Sequence, residues 1–384
     1  MKNTRSPQFV IHIGDPKTGT TSIQKALQTD TIACATRRIL PWHEYNAVQI
    51  ARSFNTKAKA KREEQFGQVR EWLQTADADI AVLSSEDLAP VAPMALLQAL
   101  RSHVPDHAET AQVIAYVRPH ASRYLAAYIQ RTKTGQYLGE FEDFFARIQA
   151  NDPLLYAPRF GHWREVFQDR FTLKPFIRSE LRGHDIVTDF AATLLGNEPF
   201  DVSQSMEENV ATPLRALSGL RHMQRCFAEA GVKAGPRRLL GAATANHFLP
   251  SGPVQGEKPA LDHETTSLLI KTYLEDAKAL DAAFFSKPLM QTELTSSLSK
   301  AVGQPLDMSV SRHFTPAEVQ RLGDLSAVVA QDFQNAPLLW RLRHRRRRFN
   351  TPLSPEQARK VAARQALLDR IDAGLQEISD ILRG

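Results

Sequence analysis

Apolar and polar positions alternate between two patterns through the first two hundred residues. Short apolar runs of strand length occur at 9–13 (FVIHI), 79–84 (DIAVLS) and 112–117 (QVIAYV), each closed by glycine or polar residues. Each run is followed by helix-forming sequence: from Ile23 after the first, from Pro90 and Pro93 to Leu100 after the second, and over about 121–131 after the third. Strands alternating with helices predict a parallel sheet covered on both faces, with any ligand at the carboxyl ends of its strands.

The remaining pattern is more uneven. Residues 29–74 are mixed, with helical spacing over 58–73 and a loop around 41–45. GHWREVFQDR (161–170) reads as a helix, FTLKPFIR (171–178) as a strand and DIVTDFAATLLG (185–196) as a helix. The glycines and prolines of 231–259 predict a loop. Over 261–285, Leu268, Leu269, Tyr273, Ala277, Leu280 and Phe284 form one helical stripe. Segments 315–333 and 355–383 also read as helices. In the latter, Val361, Leu368, Ile371, Leu375, Ile378 and Leu382 recur at 3–4 spacing, interrupted at Arg364. Such a stripe either packs on the chain's own core or pairs two copies in a short dimeric coiled coil.

Composition narrows the class without naming a function. The 384 residues suffice for one large domain plus an appendage or for two domains, and 42% hydrophobic with 23% charged is ordinary for a soluble globular protein. No run of about 18 apolar residues occurs, and the polar, basic start lacks the core of a signal peptide. The two cysteines, Cys34 and Cys226, show no metal-ligand spacing and fit a reducing compartment, so the expected location is cytoplasmic. Of the net charge of +6, residues 301–384 supply +4, with 13 Lys/Arg against 9 Asp/Glu, concentrated in RLRHRRRR at 341–348. That cluster could hold a peripheral membrane surface or a polyanionic acceptor. Without interleaved aromatics it does not suit nucleic acid.

The chemistry concentrates between the first strand and the first helix. Gly14, Pro16 and Gly19, with the hydroxyls of Thr18, Thr20, Thr21 and Ser22, surround a single cation, Lys17. Glycines permit a tight turn with inward N–H groups, and the following helix N-terminus adds partial positive charge, so the turn suits a phosphate. Gly14 and Gly19 have the spacing of G-x-x-x-x-G-K-[ST], but Thr20 and Thr21 follow where Lys and Ser/Thr are required. The lysine precedes the second glycine, which disfavours ordinary magnesium-dependent NTP hydrolysis.

Here the sequence resembles the sulfotransferase superfamily, whose 5′-phosphosulfate loop P-K-[ST]-G-T-T is matched by Pro16, Lys17, Thr18, Gly19, Thr20 and Thr21. The flanking His12, Ile13, Gly14 and Ser22, Ile23, Gln24 look like its bacterial branch. A second match is RPHASRYLAAY (118–128). There the resemblance implies a 3′-phosphate site formed by Arg118, Pro119, Arg123 and Tyr128, with Ala126 where the family has serine. That loss weakens donor binding unless Ser122 or Arg131 compensates. The resemblance also implies a catalytic base just past the second strand, where Glu86 stands; Asp87 and, more weakly, His43 are alternatives, and an ion pair with Lys17 or Arg118 is the other role open to Glu86. Arg178 at the end of the fourth run would then point into the site or lie on the surface.

The resemblance covers about residues 7–290, strongly in its first two motifs. It implies a P-loop NTPase-like α/β fold over 1–290, with the 231–259 loop on the acceptor side, and a helical extension over 291–384. It further implies transfer of a sulfuryl group from 3′-phosphoadenosine-5′-phosphosulfate, without a metal, to a hydroxyl of a carbohydrate or glycolipid. The alternatives are a P-loop small-molecule kinase, or a non-catalytic protein of the same fold that binds nucleotide or a partner.

Overall fold

Val10, Ile11 and their neighbours are buried on both faces, so Gln8–His12 can only be a central strand. The computed structural model describes residues 6–54, 59–150, 152–203, 212–248, 256–349 and 352–384. It is mixed α/β, with a five-stranded parallel sheet flanked by helices and a helical C-terminal region. Its residues gather into two units. The first comprises Met1–Arg123, Pro153–Glu207 and Ser267–Ser299, and the second Tyr124–Asp152, Glu208–Thr266 and Lys300–Gly384. Compared with the expected cut at 290, segments 124–152 and 208–266 belong with the C-terminal helices.

In chain order the elements from the first strand onward are β1 (Gln8–His12), α1 (Thr20–Gln28), β2 (Ile32–Cys34), β3 (Ile39–Pro41), α2 (Lys59–Gln74), β4 (Ile80–Ser84), α3 (Pro93–His103), β5 (Gln112–Val117), α4 (His120–Lys133), α5 (Tyr156–Phe167), β6 (Phe171–Pro175), α6 (Ile186–Leu195) and β7 (Phe200–Val202). The sheet order is β3-β4-β1-β5-β6, all parallel. Gln8 faces Ile80 on one side of β1, and Val10 faces Gln112 on the other. One face is packed by α1 and α6, where Val10, Ile23, Val82, Ile114 and Phe190 share a core. On the opposite face Phe9 meets Trp72 of α2 edge-on. The short β2 and β7 pair antiparallel beside the main sheet.

This order has a consequence for any site. The chain leaves β1 for β3 and β4 on one side and crosses to β5 and β6 on the other, so the strand order reverses at β1. Crevices in such sheets open at the carboxyl ends beside the reversal. There the structure places the loop 13–19 after β1, Ser85 and Glu86 after β4, Arg118 after β5 and 176–179 after β6.

The second unit is helical. After α7 (Leu214–Glu229) and α8 (Ala234–Ala243), the chain runs through α9 (His263–Phe284) and α10 (Leu289–Ser296), which from Ser267 belong to the first unit. It returns as α11 (Pro316–Asn335), α12 (Pro337–Phe349), α13 (Pro355–Ala362) and α14 (Gln365–Arg383). Leu220, Met223 and Phe227 of α7, Leu322, Val329 and Phe333 of α11, Trp340 of α12 and the Leu368–Leu382 stripe of α14 form one core.

Two expectations are corrected here. The segment expected to be a loop, 231–259, contains α8, because Leu240 and Ala243 are fully buried in that core. Pro236 falls in the helix's first turn, where a missing N–H costs nothing. The single helix expected over 355–383 is two helices. Arg364 leaves helical geometry at φ −119°, ψ 18°, and Ser354 caps α13 with a reciprocal Gln357 contact. Residues 249–255 of the expected loop lie outside the described residues. Among the described residues, no helix is long and apolar enough to cross a membrane.

Candidate functional site

The 13–19 loop is held in its shape from within. Gly14, Lys17 and Gly19 all have positive φ (63°, 73° and 79°), a conformation natural for glycine and strained for lysine. A Cβ on Gly14 would stand 2.6 Å from Thr20 Cγ2 and 3.1 Å from Glu86 Cβ, so the backbone packs where no side chain fits. The Thr18 hydroxyl donates to the Asp15 carbonyl at 2.6 Å and accepts the Asp15 N–H at 3.3 Å. Thr18 is therefore buried and turned to the loop itself. Pro16 and Thr21 are exposed, Thr20 and Ser22 are buried, and Lys17 is half-buried. No side chain caps the N-terminus of α1 at Gly19. A helix start of this kind offers N–H donors and partial positive charge to an anion.

Beneath the loop lies a carboxylate that sequence reading did not single out. Asp15 is 1% exposed and accepts from Arg123 Nε at 3.3 Å and from Arg159 Nη1 at 2.7 Å. Arg159 itself lies on the rings of Phe160 and Tyr156. Arg123, expected to contact a ligand phosphate, is thus committed to the loop's own acid. Asp15 follows a glycine in an apolar neighbourhood, which was a readable signal. Arg159 gave none, since its partner is 144 residues away.

Arg118 is arranged differently. Its Nη1 donates to the Lys17 carbonyl at 3.2 Å, its Nε to Ser122 Oγ at 3.1 Å, and its guanidinium lies 5.8 Å from the centre of the Phe176 ring. Burial, and after it the like charge of Arg123, pull its pKa below the usual arginine range. A cation held by three neutral groups in that situation favours an incoming anion. It lines a cavity of about 360 Å3 with Ser122, Phe176, Arg178, Ser179 and Glu293 of α10. Arg178, the arginine at the end of the fourth run, therefore joins Arg118 on that wall, and Ser122 lines it with a hydroxyl that donates to the Pro119 carbonyl at 3.0 Å.

Glu86 is half-buried and Asp87 exposed. Glu86 Oε2 accepts from Gln24 Nε2 of α1 at 3.4 Å, and the same amide reaches Ser84 Oγ at 3.3 Å. Ser84 Oγ lies 2.9 Å from His12 Nδ1. His12 is fully buried between Tyr116 and Phe190, and burial lowers its pKa from 6.5 to about 3, so the ring is neutral. The exposed His43 stacks on Trp42.

The structure thus brings together the Lys17 loop, Glu86 and Arg118 at the carboxyl edge of the sheet, as the pattern predicts. Tyr128 belongs to the second unit, where its ring is fully buried among Tyr137, Phe141 and Phe144 and burial pushes its hydroxyl up to about 12. Arg131 likewise lies over Phe144 in the second unit. Among the described residues, no cluster of three or more His, Cys, Asp or Glu could hold a metal ion. No protein-family model and no curated protein matches the chain.

Proposed function

We propose that the chain is a sulfotransferase of the P-loop type, taking a sulfuryl group from 3′-phosphoadenosine-5′-phosphosulfate to a hydroxyl of a carbohydrate or glycolipid. The observation that carries this reading is the Lys17 loop: glycine-built, uncapped at the helix it opens, and tied by its Lys17 carbonyl to Arg118 across the sheet edge. The parts suit a donor with two phosphate groups. The loop and the α1 N-terminus fit the 5′-phosphosulfate, and Arg118, Ser122 and Arg178, lining the adjoining cavity, fit the 3′-phosphate.

In the reaction the acceptor oxygen forms a bond to sulfur while the bond from sulfur to the bridging phosphate oxygen breaks. Adenosine 3′,5′-bisphosphate leaves with the electron pair. Glu86 takes the acceptor's proton, and Lys17 neutralises charge growing on the bridging oxygen. The carbohydrate acceptor rests on analogy with members of the resembled superfamily that use glutamate as the base.

The test is turnover. Wild type incubated with the donor and a panel of saccharide acceptors should release adenosine 3′,5′-bisphosphate and sulfated product. Lys17→Ala and Glu86→Gln should each slow release by about 10²-fold or more. Magnesium-dependent ATP turnover with no sulfated product would replace this reading with a kinase.

A further inference from the structure

The candidate base does not stand alone: a buried amide, a hydroxyl and an imidazole lie behind it. Gln24 is 2% exposed on α1, the helix that carries the phosphate-binding N-terminus. Its side-chain nitrogen faces two acceptors from a different part of the sheet, Glu86 Oε2 and Ser84 Oγ, at 3.4 and 3.3 Å. An amide NH2 has two protons, and both are used. Ser84 Oγ, accepting from Gln24, lies 2.9 Å from His12 Nδ1, and the His12 ring packs against Tyr116 and Phe190.

The contacts run from the sheet interior to the candidate base: His12 stays neutral beside Ser84, and the Gln24 amide donates both to Ser84 Oγ and to Glu86 Oε2. A carboxylate accepts from N–H, so the amide fixes where the carboxylate points. We infer that Gln24, backed by Ser84 and His12, is a positioning residue that holds the Glu86 carboxylate in the orientation of the proton acceptor. The relay also joins α1, which would grip the donor, to the base that receives the acceptor's proton. This inference rests on the proposed function for its catalytic meaning, while the carboxylate contact can be tested without it.

The charged groups of this sheet edge, among them Lys17 and Asp15 of the loop, Arg118 after β5, Arg178 after β6 and Asp87 beside Glu86, are retained in the variants that follow. Protein carrying 13C-labelled glutamate side-chain carboxyls is compared by NMR at one pH, the Glu86 signal being the one missing from Glu86→Gln. Gln24→Leu should move the Glu86 carboxyl signal, because its hydrogen-bond donor is gone. Ser84→Ala, which keeps the amide but releases its orientation, should move it by less, and serves if Gln24→Leu does not fold. In turnover, Gln24→Leu should lower kcat by about tenfold with the dissociation constant for adenosine 3′,5′-bisphosphate unchanged, and should have no further effect in a Glu86→Gln background. An unmoved Glu86 carboxyl signal in both variants, or a Gln24→Leu loss undiminished in the Glu86→Gln background, would overturn the relay. If wild type transfers no sulfuryl group, the functional reading fails and the carboxyl signal alone decides the relay.

Discussion

Two arginines five positions apart look equivalent in the sequence, yet their surroundings assign them different work. Arg123 neutralises the buried Asp15, whereas Arg118 donates to the Lys17 carbonyl and to Ser122 and lines a cavity. Arg118→Ala should therefore abolish preference for adenosine 3′,5′-bisphosphate over adenosine 5′-monophosphate, a change of about tenfold or more in relative affinity by calorimetry. Arg123→Ala should weaken both nucleotides alike. Asp15→Ala leaves two guanidinium groups facing one another without their acid, and should cost about 3 kcal/mol in urea unfolding. His12 gives a separate signature. Between its unfolded pKa of 6.5 and its folded value of about 3, the unfolded chain binds a proton that the folded one does not. Stability contributed by neutral His12 is therefore present above pH 6.5 and falls as pH drops through that window, by about 1.4 kcal/mol per unit. The slope of unfolding free energy against pH between about 6 and 4 should be shallower in His12→Phe than in wild type.

Elements were legible where their signal was local. Gln112–Val117 spans the predicted run, and the Gly-Asp-Pro-Lys-Thr-Gly segment forms the predicted turn, because apolar burial and glycine backbone preference are both written in adjacent residues. The cut between units was not legible, since it depends on which distant helix faces meet: α7 packs with α11 and α14 across about a hundred residues or more of chain. Asp15 with Arg159 and Gln24 with Glu86 were hidden for the same reason. At this scale the loop makes its own prediction. Gly14→Ala would drive a Cβ into Thr20 and force a positive φ on a residue with a side chain, so donor binding should vanish while the far-UV spectrum stays native.

Considered whole, the chain passes between its two units several times, so neither is a contiguous piece of sequence. The stripe on α14 closes a core whose other walls are α7 and α11, and Arg343 on α12 reaches Asp369 and Asp372 of α14 at 2.5 and 2.8 Å. The basic run 341–348 is therefore partly neutralised within its own unit. The α14 stripe lines an intramolecular core. A fragment spanning 300–384 lacks the α7 wall and should remain largely unfolded by circular dichroism, although its helices are amphipathic. The role proposed for the Lys17 loop and its neighbour Arg118 is decided by nucleotide binding. Calorimetry with adenosine 3′,5′-bisphosphate, adenosine 5′-monophosphate and magnesium-ATP on wild type, Lys17→Ala and Arg118→Ala should show micromolar binding that requires the 3′-phosphate and is lost in both variants. Equal or tighter binding of magnesium-ATP, or binding of the bisphosphate that survives both substitutions, would contradict it.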